Sequence, residues 1–306
     1  MTFLSLLAVL LLEQARPLRQ GNRVHLWFDS YAAGLASHFN GGQYRQGVIA
    51  WALAVAPVLA VTVAAYHVLY ELTPLAGWLW NIVVLYLTMG FRQFSRYFTE
   101  IQQALRGGDL AAARDRLGKW RGESAAELTA GEIARVAIEQ GLLASHRHLF
   151  GAIAWFVALG PAGAMLYRVS AMLADKWSAG NDPDSGEFGR FAGRAFIWID
   201  WMPARLTAAT FAMVGNFEDA IYCWRTQAAA WATHANGIIL ASAGGALGMR
   251  LGNPLLQNGS LQFRPELGMG EEVDPDHMQS AVGLIWRSLV LWMFLLLLVS
   301  IAHALG

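Results

Sequence analysis

Long apolar runs alternate with shorter polar ones along the whole chain. Residues 2–12, TFLSLLAVLLL, are apolar for only eleven positions, too few for a helix rising about 1.5 Å per residue to cross a hydrocarbon core of about 30 Å. They predict an interfacial or half-inserted helix, with Glu13, Arg16 and Arg19 at the water boundary. No basic start precedes the run and no clear small-residue cleavage site follows it, so a cleaved signal peptide is not expected. Residues 13–45 are polar, partly amphipathic, and rich in Arg, His and Gly, a composition suited to the membrane surface. Gln46 to Tyr70 holds 25 residues without a formal charge and Leu72 to Phe91 another 20, with Glu71 between them. That pattern predicts a transmembrane hairpin. Arg16, Arg19, Arg23 and Arg45 precede it, Arg92 and Arg96 follow it, and the turn carries no Lys or Arg. The positive-inside rule then puts the turn outside and both flanks in the cytoplasm.

Arg92 to His148 is the most soluble-looking part. In GGDLAAARDRLGKW a Gly-Gly turn leads to Asp109, placed to cap a helix ending near Trp120. Ser124 with Glu127, and Thr129 with Glu132, each match a capping box, and the second opens IARVAIEQGLLASH. Short helices in a hairpin follow. Leu149 to Tyr167 is uncharged but broken by Gly160-Pro161, which predicts either a third span or a re-entrant pair of half-helices. NDPDSGE at 181–187 reads as a turn-rich loop. Ala195 to Phe217 is long enough to span, yet Asp200, Pro203 and Arg205 fall in its first half. Asp200 and Arg205 are five apart and do not stack as i,i+4 neighbours. Either they snorkel at the headgroup level or they face a polar cavity or another helix. Thr226 to Met249 is uncharged and rich in small residues, predicting a helix buried against others. Residues 250–281, with Gly, Pro and EEVDPD, read as a soluble loop, and Val282 to Leu305 as a final span with Arg287 near its start.

Composition agrees with this reading. The 306 residues are 56% hydrophobic and 14% charged with mean hydropathy +0.37, values of a polytopic membrane protein. Lys plus Arg and Asp plus Glu number 22 each, so no overall field attracts nucleic acid, and nucleic-acid binding is not expected. The single cysteine, Cys223, excludes an intramolecular disulfide and a thiolate-rich metal site. Several of the thirteen tryptophans lie near the ends of apolar runs, as in interfacial belts.

Candidate chemistry is sparse. His146-Arg147-His148 invites a metal reading, but residues i and i+2 of a helix diverge by about 200° and no carboxylate motif adjoins them, so boundary cations fit better and no metal is assigned. Gly244-Gly245-Ala246-Leu247-Gly248 lacks the Gly-Lys-Ser/Thr end of a phosphate loop and favours helix packing. His234 and Asn236 sit in an apolar run, serving buried structural hydrogen bonds or a ligand pocket. No nucleophile–base spacing stands out, so the catalytic residues and any cofactor stay unassigned.

From Gly107 onward the chain resembles the CbiB/CobD family of cobalamin-biosynthesis membrane proteins. GGDLAAARDRL, EIARVAIE, GPAGAMLYRV, WMPARLTA, GGALGMRLG and RPELGMG recur in the family's order and cover most of residues 107–270. The resemblance implies an inner-membrane protein that joins aminopropanol, or its phosphate, to adenosylcobyric acid as an amide. Several polar positions of the family are replaced. Leu143 to His148 stand where Glu-Asn-Thr-Ser-Asp-Gly is usual, Ala171 to Ala174 where Asn-Thr-Leu-Asp is usual, Phe196 and Ile197 where paired aspartates are usual, and Thr233 to Gly237 where Ser-Pro-Asn-Ala-Gly is usual. Tyr167, Arg168, Arg205 and Arg250 still match, and Asn236 does so with a shift of one. The amino-terminal LLAVLLLEQARPL and the Asp200 to Leu206 stretch look more like AmpE, a related membrane protein described as regulatory.

The expectation is therefore an all-α polytopic inner-membrane protein of four or five transmembrane helices. Its parts are an N-terminal membrane region at 1–91, a cytoplasmic helical hairpin at 92–148, and a membrane core with loops at 149–306. Arg168, Arg205 and Arg250 are expected to bind an anionic group, with Asp200 paired to one of them and Asn236 nearby. Membrane lipid and a corrinoid or other anionic small molecule are the implied partners, and the sequence assigns no oligomeric state. The alternatives are a non-catalytic AmpE-like regulator, in which the same residues lock helix packing, and a transporter-like binder built on the break at Gly160-Pro161.

Overall fold

The computed structural model describes residues 2–15, 23–178, 187–257 and 260–305. The helices in chain order are α1 (Thr2–Ala15), α2 (Arg23–Phe39), α3 (Tyr44–Leu72), α4 (Pro74–Thr88), α5 (Phe91–Arg106), α6 (Leu110–Arg121), α7 (Ala130–Ser145), α8 (Gly151–Ser178), α9 (Arg190–Val214), α10 (Phe217–Gln227), α11 (His234–Leu247) and α12 (His277–Leu305). A single π-turn, His146–Phe150, joins α7 to α8. By length and composition three helical stretches among the described residues, Tyr44–Leu72, Ala130–Ser178 and His277–His303, are long and apolar enough to cross a membrane. The chain is an all-α membrane protein. Of the expected loop 181–187, all but Glu187 lies outside the described residues, as do Arg16 and Arg19.

Two compact units divide the chain, each from separated segments. Unit one comprises Met1–Gly90, Arg147–Pro203 and Ser300–Gly306, and unit two comprises Phe91–His146 and Ala204–Val299. In unit one, Phe28, Ala32, Ala50, Ala54, Leu173 and Trp177 pack into a buried cluster where α2, α3 and α8 meet. The α3–α4 hairpin turns at Thr73, whose Oγ1 accepts from Ala76 N at 3.2 Å while Pro74 opens α4. The second arm, expected over 20 residues, is a helix of 15, roughly 22 Å long and short of a full crossing.

The decisive feature of unit one is Gly160. Its φ of 64° and ψ of −151° lie where only glycine is comfortable, and the helix folds back there instead of running straight. A Cβ on Gly163 would overlap the Trp155 carbonyl, with Trp155 C at 2.8 Å and Leu159 Cβ at 2.9 Å, and a Cβ on Gly151 would overlap the Tyr167 ring. Further down, Arg168 Nη1 meets His148 Nδ1 at 3.1 Å and Arg147 pairs with Asp175 at 2.8 Å. In a straight helix Gly151 and Tyr167 would stand roughly 24 Å apart. Of the two expectations for this region, the pair of half-helices is the one observed.

Unit two holds α5, α6, α7, α10 and α11 with a small sheet. Asp109 caps α6 through Ala112 N at 2.9 Å, and Thr129 with Glu132 forms the expected capping box of α7. The other expected box fails: residues 124–127 form no helix, and Ser124 Oγ accepts from Ala126 N at 3.4 Å. Helix α11 is buried from Gly237 to Ala246, as its small residues predict. The expected loop after it contains strands β1 (Met249–Leu251), β2 (Leu255–Gln257), β3 (Ser260–Gln262), β4 (Leu267–Gly268) and β5 (Glu271–Glu272). In one sheet β1 lies between antiparallel β4 and parallel β5, so Arg250 stands opposite Gly268 and Glu272; β2 and β3 form a separate hairpin. Gly248, in the left-handed region at φ 66°, ends α11 and releases the chain into β1.

Candidate functional site

In unit two, residues from three of the family-like motifs converge. Helix α7 carries Glu132, Arg135 and Glu139 at spacings of three and four, hence on one face. Glu139 is buried, 5% exposed. Its carboxylate accepts from Gly252 N at 2.8 Å and forms an ion pair with Arg264, which stacks over the Trp231 ring at 5.1 Å. A buried carboxylate is tolerated only with such pairing and hydrogen bonding. Arg135 feels the charges of Glu139, Arg264, Glu132 and Glu272. Arg250 reaches Glu272 at 3.6 Å. Gln227 clamps the turn that presents these groups, accepting from Gly268 N at 2.6 Å and donating to Gly268 O at 3.0 Å.

Unit one holds a second polar centre between the arms of the folded helix. Tyr167 is fully buried and its hydroxyl donates to Asp200 Oδ1 at 2.8 Å; Asp200 is itself buried. The missing side chain at Gly151 makes the seat for the tyrosine ring. Phe196 packs on Tyr167 with centroids 5.5 Å apart, and Arg147, while paired with Asp175, lies over Phe196 at 5.0 Å. A guanidinium only donates, so His148 Nδ1 accepts from Arg168, leaving the ring proton on Nε2. In unit two His146 Nδ1 lies 2.9 Å from Thr207 Oγ1. Among the described residues no three His, Cys, Asp or Glu side chains form a metal-holding group.

The expected site residues fall in both units. Arg168 and Asp200 belong to unit one, Arg168 beside His148 of the π-turn and Asp200 beside Tyr167 of α8. Arg205, Asn236 and Arg250 belong to unit two, all half-buried. His234 is exposed at the start of α11, so the buried structural role open to it in the sequence is not the one observed. The sequence assigns no site role to Arg135, Glu139 or Arg264, and Arg135 and Glu139 read there as part of a solvated face, whereas Glu139 is buried. Their signal was the charge kept inside two apolar motifs, Arg135 and Glu139 in EIARVAIE and Arg264 in RPELGMG; the pairing itself, across 125 positions, leaves no local trace.

Fold and site together define an all-α membrane protein whose polar centres are built from separated motifs. Residues 10–285 match the model of the family described as CobD/Cbib protein, and the chain belongs to that family. It is 36% identical to a protein named "Cobalamin biosynthesis protein CobD" from Stutzerimonas stutzeri, over 96% of this chain and 97% of that one. Proteins of the same name from Chromobacterium violaceum, 34% identical over 82% of this chain and 75% of that one, and Mycobacterium tuberculosis, 28% identical over 78% of each, are also similar. These relatives support the cobalamin reading, not the AmpE-like alternative. No solved structure matches.

Proposed function

We propose that this protein works in cobalamin biosynthesis as a multi-pass protein of the inner membrane, at the step that attaches aminopropanol or its phosphate to adenosylcobyric acid as an amide. The carrying observation is that a relative named for cobalamin biosynthesis is similar to it from end to end, at 36% identity over 96% of this chain. In physical terms, the polar groups kept inside apolar motifs support the reading. Amide formation calls for groups that hold an anionic partner and steady developing charge; in unit one Arg168 with Asp200, and separately in unit two Arg205 and Arg250 with Asn236, are groups suited to that task. A corrinoid and a small amino alcohol are the corresponding ligands. The test is complementation of a strain lacking its own amide-forming membrane enzyme, supplied with cobyric acid but no cobinamide. Growth is the expected result. No growth, with the protein shown in the membrane at normal level, overturns the reading.

A further inference from the structure

Gln102 of α5 donates from Nε2 to Gln279 Oε1 of α12 at 3.3 Å, which ties the two helices together within unit two. One turn beyond this tie, back along α5 and onward along α12, they part around a cavity of about 170 Å³. Phe98 and Ile285 line it and are only 5% and 6% exposed, and Val282 and Trp286 border it on the α12 side. Gly141 of α7 leaves room for the Phe98 ring, since a Cβ there would come within 2.9 Å of Phe98 Cδ2. The lining is mostly hydrocarbon. Of its two hydroxyls, from Ser95 and Thr99, that of Thr99 donates to the Ser95 carbonyl at 2.8 Å. A cavity of this kind offers water few partners and takes an apolar guest instead.

What can reach the cavity is set by α12, which is long and apolar enough to cross a membrane. Trp286, Val290, Phe294 and Leu298 follow one another at spacings of four and are all exposed, so an apolar stripe runs from the cavity along the span. Arg287 reaches back toward the start of the helix, its Nε donating to Gly283 O at 3.2 Å. A cation on a lipid-facing helix snorkels to the water boundary, which sets that boundary at about the level of the cavity. The stripe therefore lies among lipid chains, and the cavity opens just beneath their headgroups. We propose that the cavity is a lipid site, in which the first methylenes of a phospholipid acyl chain lie between Phe98 and Ile285 and the rest follow the stripe from Trp286 to Leu298. This assignment is independent of the amide-forming reading above.

The probe is a phosphatidylcholine with a diazirine near the ester end of one acyl chain, reconstituted in vesicles with the full chain, irradiated, and mapped by peptide mass spectrometry. Lipid that merely surrounds the protein marks exposed Val290, Phe294 and Leu298, whereas a seated chain also marks buried Phe98 and Ile285. Val282→Trp fills the cavity and should cut the label at Phe98 and Ile285 roughly 10-fold, the effect of displacing about two methylenes. Label along the stripe should persist. Val61→Trp, at an exposed position of α3, should change neither. Thr99→Phe, at an exposed position of the lining, decides the matter if Val282→Trp does not fold, and circular dichroism confirms that each variant keeps its helices. Label confined to the exposed stripe in the wild type, or unchanged label at Phe98 and Ile285 in the filled variant, overturns the site. Native mass spectrometry from mild detergent should find phospholipid on the wild type and less of it on the filled variant; an isoprenoid retained in its place overturns the choice of guest.

Discussion

Replacing Gly163 by alanine decides whether the α8 segment folds back at Gly160 or runs straight. In an exposed, straight helix Gly→Ala is stabilising by about 1 kcal/mol, because glycine gives up more backbone entropy and alanine loses none in its side chain. In the folded arrangement the new methyl would overlap the Trp155 carbonyl and sit 2.8 Å from Trp155 C and 2.9 Å from Leu159 Cβ. Two of these are backbone atoms of the opposing arm, which cannot turn aside like a long side chain. The arms must then part, and overpacking of this kind costs about 1–3 kcal/mol. The two geometries therefore predict opposite signs. Gly283→Ala in α12, where an added Cβ meets nothing within 4 Å, supplies the reference for a stabilising change. The assay is thermal unfolding in detergent, both variants beside the wild type. Gly163→Ala should lower the midpoint and Gly283→Ala should hold or raise it. A rise in both would refute the folded arrangement.

Three further outcomes follow from the polar contacts. Tyr167→Phe removes the hydroxyl that donates to buried Asp200 at 2.8 Å and should cost about 1.5–3 kcal/mol; chemical denaturation in detergent measures it, and no change would mean that the bond contributes nothing. At the start of α12 the hydrogen bond from His277 holds the Asp274 carboxyl below its ordinary value, with backbone bonds from His277 and Asp276 adding to it. Because the folded-state value is depressed, this stabilisation is complete above the unfolded value and is lost as pH falls through the folded one. Asp274→Asn should therefore flatten the acid limb of the stability profile below about pH 4, and an unchanged limb counts against it. Burial, with the nearby Asp219 charge second, pushes the Cys223 thiol up; maleimide labelling at pH 7 should be slow until denaturant is added, and prompt labelling of the native protein would contradict its placement.

Local chemistry was the legible part of the sequence. Asp109 and Thr129 mark helix starts because a cap is a contact within three residues. The buried course of α11 was plain from its small residues. Gly160-Pro161 announced a break but not its angle, since the fold-back depends on Gly163 letting Trp155 approach and on Gly151 admitting Tyr167. Ser124 and Glu127 matched a capping pattern without a helix behind it. The strands between 249 and 272 run two or three residues each among glycines and prolines, too short for alternation to show. Motif order identified the family, but the centre around Glu139 stayed hidden because Arg264 and Gly252, its partners, are distant in sequence.

The role in cobalamin assembly is tested most directly by the mass of the corrinoid itself. Cells lacking their own amide-forming enzyme, expressing this chain and fed adenosylcobyric acid with aminopropanol phosphate, should accumulate a corrinoid heavier by that amine less one water. Recovery of unchanged adenosylcobyric acid from cells whose membranes hold the folded protein would contradict the account.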